Sequence, residues 1–126
     1  MNAKFESVFK NLCQILQPYK AILKIKCDEA NKLYLNTQHV MKNKQALFFA
    51  GVEINKNYVS YHLMPVYVNP SLLDDISPNL RQRMQGKSCF NFKTVDSDLF
   101  EELKTLTQAG FKDYQKQGYV HTEIKD

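Results

Sequence analysis

Glycine and proline are scarce in this chain, four of each in 126 residues, which excludes a collagen-like or low-complexity fibre. Cysteine is scarce too. Cys13, Cys27 and Cys89 are odd in number and widely spaced, so they form no disulfide framework and point to a reducing cytosol. No apolar run approaches the about eighteen residues that a membrane span needs, and the chain opens without a charged-then-apolar leader, so a soluble cytoplasmic protein is expected. The tripeptide Asn69-Pro70-Ser71 has glycosylation spacing, but its proline blocks the modification. There is also no dense block of one charge. Seventeen Lys and Arg stand against thirteen Asp and Glu, and the Lys residues run from Lys4 to Lys125. Nucleic-acid binders concentrate their cations on one stripe. The net charge of +4 therefore supports only a weak preference for anionic partners. With no repeat and no linker, residues 1–126 read as one domain.

What is present is a core. Hydrophobic residues make up 44%, with eight Phe and seven Tyr, and a chain of this length buries about two thirds of its unfolded surface. Phe5, Val8, Phe9, Leu12, Ile15 and Leu16 recur at helical spacing over residues 4–17, and Pro18 is expected to end that helix. Alternation over 21–27 predicts a half-buried strand, a turn follows at 28–31, and 32–37 returns as a second strand. Residues 46–54, rich in Phe and β-branched side chains, predict a third strand. Asn55-Lys56-Asn57 then connects to a fourth over 58–68, and a three-residue link between two apolar runs is a hairpin.

Ser77 before Pro78 reads as a capped helix over 78–85, with Ile76, Leu80 and Met84 on one face and Gly86 as its left-handed stop. Residues 88–93 predict a fifth strand, Phe90 and Phe92 on one side, Cys89 and Asn91 on the other. Asp96, Ser97 and Asp98 are N-cap candidates, with Glu101 three residues after Asp98. Leu99, Phe100, Leu103, Leu106, Gly110, Phe111 and Tyr114 then trace one helical face to about residue 117. The polar tail after Gly118 is expected to fray. The order predicts an α+β fold: an antiparallel sheet of about five strands with an N-terminal and a C-terminal helix packed on it as a two-layer sandwich.

The Phe-rich strand reaching Gly51-Val52, the run Tyr58-Val59-Ser60-Tyr61-His62, and Gly86-Lys87-Ser88 leading into a strand and a final amphipathic helix resemble the YdhG-like family of small domains of unknown function. The resemblance covers roughly residues 20–117. It implies a compact two-layer fold and, for most members, no established activity; some members resemble frataxin-type iron chaperones in proposed role. Iron is held by hard oxygen ligands, and the acidic pairs of this basic chain are Asp74-Asp75 and Glu101-Glu102.

The remaining motifs separate by their chemistry. Gly86-Lys87-Ser88 ends like a phosphate loop, but Arg81 stands where that loop needs a glycine, and a helix leads into a strand rather than the reverse. Arg81, Arg83 and Lys87 are the candidate anion site, Arg83 and Lys87 being four apart, although cations late in a helix also suit its dipole. Tyr58, Tyr61, His62, Tyr67 and Cys89 are candidates to line a groove between the fourth strand and the helix from Pro78 to Gln85; tyrosines also commonly bury a ring and leave the hydroxyl wet. His62, Cys89 and Asn91 supply the parts of a cysteine nucleophile, against the commoner reading of a strand cysteine as a small buried hydrophobe. His39, His62 and His121 with the three cysteines show no metal-ligand spacing, and no cofactor is implied. The expectation is a module that binds an anionic small molecule or acidic peptide, with a Cys89–His62 enzyme and an iron chaperone as alternatives.

Overall fold

The computed structural model describes residues 3–120. Helix α1 (Ala3–Lys20) is followed by strands β1 (Lys24–Glu29), β2 (Lys32–Val40), β3 (Ala46–Ile54) and β4 (Val59–Leu63). Short helix α2 (Met64–Val68), a 3-10 turn at Pro70–Leu73 and one-turn helix α3 (Pro78–Arg81) precede strand β5 (Cys89–Phe92) and the long helix α4 (Ser97–Gln117). The strands form one antiparallel sheet in the order β1-β2-β3-β4-β5, a meander with β3 at its centre. Helices α1 and α4 lie together on one face, giving the expected α+β two-layer fold.

The inner face is built by alternation. Leu33 faces Val52, Val52 faces Tyr61 and Tyr61 faces Phe90, while Val59 faces Phe92; all are buried. Where β2 meets β3 the register slips, so that Leu35 pairs with Ala50 but Asn36 with Phe48. The bulge turns both Phe49 and Ala50 inward. Phe49 then packs among Tyr19 of α1 and Phe111 and Tyr114 of α4, with ring centroids 5.2, 5.7 and 5.9 Å away. The tyrosine hydroxyls drawn inside are partnered: Tyr61 and Thr107 share a 2.6 Å hydroxyl bond, and Tyr114 donates to the Phe48 carbonyl at 2.9 Å. Each fully buried large apolar side chain contributes about 1.5–3 kcal/mol.

Four expectations are corrected. Pro18 does not end α1, which continues to Lys20, because Tyr19 beyond it is anchored against Phe49 and Phe111. The fourth strand does not reach residue 68. Pro65 cannot donate to a ladder, and the chain turns at Met64 into α2, burying Pro65 and Val66. The helix expected over 78–85 stops at Arg81. Ser77 caps it as expected, its hydroxyl accepting from the Leu80 amide at 3.1 Å, while its own amide and hydroxyl both donate to Glu102 at 2.6 Å.

Residues 83–85 instead pair with β5. Met84 bridges to Phe90, the Gln85 amide donates to the Cys89 carbonyl at 2.9 Å, and the Asn91 amide to the Arg83 carbonyl at 2.8 Å. Gly86, at φ +79°, reverses the chain between these partners rather than stopping a helix. Finally, the segment just after Gly118 is not frayed: Val120 is buried and the Tyr119 ring lies 5.4 Å from Tyr114 and 4.7 Å from His39. Residues 121–126, His121 among them, lie outside the described residues.

Candidate functional site

Because α1 and α4 cover one face, every strand residue out of phase with the core is presented on the other. Pairing aligns Cys27, Tyr34, Gly51, His62 and Cys89 in one row across all five strands. A second row runs Lys32, Glu53, Ser60 and Asn91. Gly51 is the pivot of the first row. With no side chain there, the Tyr34 ring lies across the neighbouring strand; a Cβ at Gly51 would stand 2.3 Å from its Cδ1 atom. The Tyr34 hydroxyl then donates to Glu53 at 2.6 Å, and the ring meets His62 edge-on at 6.1 Å and Phe48 at 5.4 Å. Lys32 completes the cluster, 3.6 Å from the Glu53 carboxylate and 5.5 Å above the Tyr34 ring.

Beside this cluster is a groove of about 760 Å³. Tyr34, Asn36, Phe48 and His62 form its floor, the β2–β3 hairpin supplies Met41 and Gln45 to one wall, and α2 supplies Met64, Tyr67 and Val68 to the other. Tyr67 and Val68 are exposed, 54% and 40%, a consequence of the turn at Pro65 that stands α2 above the sheet. Lys26 lines the groove, no carboxylate does, and the Lys87 ammonium sits 5.9 Å over the Tyr67 ring.

A second, smaller depression of about 370 Å³ lies further along β4 and β5, lined by Tyr58, Gln82, Arg83, Met84, Gln85, Asn91 and Lys93. A one-way hydrogen-bond relay leads into it. Asn55 Nδ2 donates to Ser60 Oγ at 2.8 Å, Ser60 to Asn91 Oδ1 at 2.8 Å, and Asn91 Nδ2 to Gln85 Oε1 at 2.7 Å.

The residues singled out in sequence are thus distributed unequally. His62 and Tyr67 share the large groove, and Tyr58 lines the small depression. Tyr61 cannot line either, because it is fully buried against Thr107 on the helix side. Cys89 is a direct cross-strand partner of His62, which places their Cβ atoms about 5 Å apart.

That juxtaposition does not activate the thiol. Burial pushes the Cys89 thiol above its ordinary range, only partly offset by the Ser60 hydroxyl, and burial holds the His62 imidazole below its own. Near pH 7 the pair is therefore neutral rather than thiolate–imidazolium. Cys89 donates to Asn91 Oδ1 at 3.3 Å, not to His62.

The trio Arg81, Arg83 and Lys87 is not one site. Arg81 donates to the Leu73 carbonyl at 2.6 Å, Lys87 turns to Tyr67, and Arg83 lines the small depression with Lys93. Their expected proximity assumed a helix through residue 85, and the strand-like pairing of 83–85 removes it. Sequence reading missed Lys26, Tyr34, Asn36, Phe48 and Lys93. The alternation of β2 carries a signal for Tyr34 and Asn36, which fall between Leu33, Leu35 and Thr37. Their convergence with Phe48 and His62 follows only from the register. Compared with known proteins, the chain matches no family model, no curated protein and no solved structure.

Proposed function

We propose that this protein is a binding module, and that the groove over Tyr34, Phe48, His62 and Tyr67 takes an anionic small molecule carrying an apolar ring. One observation carries the reading: the groove is walled by rings and thioethers, its only charged lining residue is Lys26, and it contains no carboxylate. An apolar body placed there removes Phe48, Met64 and Tyr67 surface from water. The anionic end meets Lys26 at one side or Lys87 beside Tyr67 at the other. Glu53 does not oppose it strongly, since its carboxylate is engaged by Tyr34 and Lys32. The YdhG-like resemblance belongs to the same proposal and adds no chemistry to it. The iron-chaperone alternative gains no support: among the described residues no three His, Cys, Asp or Glu side chains are placed to hold a metal ion, and Glu102 is committed to Ser77.

The test uses 1-naphthalenesulfonate as the ring-bearing anion and 1-naphthylmethylammonium as its cationic counterpart, each titrated into the protein and followed by amide chemical shifts. The anion should produce saturable shifts at Tyr34, Phe48, His62 and Tyr67, and Tyr67→Ala with Lys26→Gln should weaken it. Shifts confined to the helix side, or equal binding of the cation, would overturn the reading.

A further inference from the structure

The small depression has a composition of its own. Arg83 and Lys93 both line it, no carboxylate does, and neither side chain makes an ion pair or hydrogen bond among the described residues. Their placement follows from the ladder. The Asn91 amide donates to the Arg83 carbonyl, so Arg83 stands opposite Asn91. Lys93 directly follows the last residue of β5 and lines the same depression as Asn91. Val59 faces Phe92 at the end of the β4–β5 ladder, and Tyr58, just before it, lines the depression beside Lys93. Tyr58, Arg83 and Lys93 thereby surround Asn91 in one depression.

The relay supplies the second, independent observation. Each member donates forward, from Asn55 through Ser60 and Asn91 to Gln85. Gln85 Oε1 is thus the terminal acceptor, and its Nε2 amide is left with two hydrogens directed to no other described residue. A chain of bonds aligned one way polarises its last member, so the Gln85 amide is a strengthened donor at a place that already holds two cations. Guanidinium, ammonium, amide and the Tyr58 hydroxyl are donors matched to a tetrahedral oxyanion. Two positive charges without a carboxylate favour a dianion over a monoanion.

We propose that Arg83, Lys93 and Gln85, with Tyr58 and Asn91, form a binding site for a phosphate dianion, free or as the monoester of a small molecule. The site shares no lining residue with the large groove and stands whether or not that groove binds. The two are separated by the four-residue step from Tyr58, just before β4, to His62 within it, about 13 Å at about 3.3 Å per residue.

The experiment titrates inorganic phosphate, phenyl phosphate and acetate into the full chain, reading amide shifts of residues 83–93 at fixed pH and ionic strength. Phosphate and phenyl phosphate should both give saturable shifts at Arg83, Gln85, Asn91 and Lys93, weakening as salt is raised. A clear advantage for phenyl phosphate assigns the site to a monoester, and equal affinity assigns it to free phosphate. Arg83→Gln and Lys93→Gln should each weaken binding at least about tenfold, the loss of one charge-assisted contact. Lys87→Gln should leave it unchanged. Both site residues are exposed, so dispersed spectra will show that the variants remain folded. The proposal is overturned if no saturable shift appears at these residues, if Arg83→Gln or Lys93→Gln binds as the parent does, or if acetate binds as tightly as phosphate.

Discussion

Replacing Gly51 by Ala tests whether the outer face is organised by the Tyr34 ring. The backbone at Gly51 is outside the left-handed region, so a side chain is opposed by space alone. A Cβ would stand 2.3 and 2.7 Å from two carbons of the Tyr34 ring and 2.9 Å from the Leu33 carbonyl oxygen. The ring must swing away, which breaks its hydroxyl bond to Glu53 and its edge contact with His62. Overpacking costs about 1–3 kcal/mol, and a hydrogen bond to a charged group contributes about 1.5–3 kcal/mol. Tyr34 and Glu53 are only half-buried, which favours the low end of both. Stiffening of the unfolded chain returns about 0.4–1 kcal/mol. The net expectation is a loss of about 2 kcal/mol, read as a shift in the urea midpoint at unchanged slope. In a Tyr34→Ala background the ring is absent and only the Leu33 carbonyl contact remains, so the same Gly51→Ala change should cost clearly less. The cycle should therefore give a coupling of about 1–2 kcal/mol. Equal cost in both backgrounds would mean that the Leu33 carbonyl, not the ring, excludes the Cβ. No cost in either would refute the packing of Tyr34 over Gly51.

Leu103, fully buried on α4, should lose about 2–5 kcal/mol on replacement by Ala, since the rigid sheet beneath cannot collapse into the space; a loss under about 0.5 kcal/mol would place it at the surface. Cys89 should react with iodoacetamide at pH 7 more slowly than a model thiol, because burial raises its pKa, and His62→Ala should not slow it further; fast, His62-dependent labelling would restore the nucleophile reading. His62 has a depressed pKa in the folded state, so its contribution to stability is complete above the unfolded value of about 6.5 and is lost as pH falls through the folded value. Stability should accordingly decline on acidification below about pH 6.5, and His62→Gln should flatten that slope; an identical slope in the variant would show that other groups cause it. Asp96→Ala should cost about 1 kcal/mol by leaving the Leu99 amide without its cap, and a neutral result would assign the cap elsewhere.

The sequence alone determined the two-layer α+β fold, because the determinants were local. The Phe- and β-branched-rich run built β3 and the alternation of 88–93 built β5 within a residue of their expected limits, the expected β3–β4 hairpin formed with Tyr58 added to the Asn-Lys-Asn link, and the helical stripe from Leu99 to Tyr114 was buried in full. Burial of such stripes and alternations is dictated by side-chain period and does not depend on the partner. Tertiary structure decided whatever depended on a partner distant in sequence. Pro18 remains helical because Tyr19 finds Phe49 and Phe111. Residues 83–85 abandon the helix because β5 offers them an unpaired edge, and with that choice Arg83 leaves Lys87 and joins Lys93. Tyr61 and His62 are neighbours in sequence, yet pleating sends one into the core and the other to the groove. Neither concavity on the outer face was legible in full beforehand, since each gathers residues from three or more separate segments of the chain, and only the tertiary pairing brings them together.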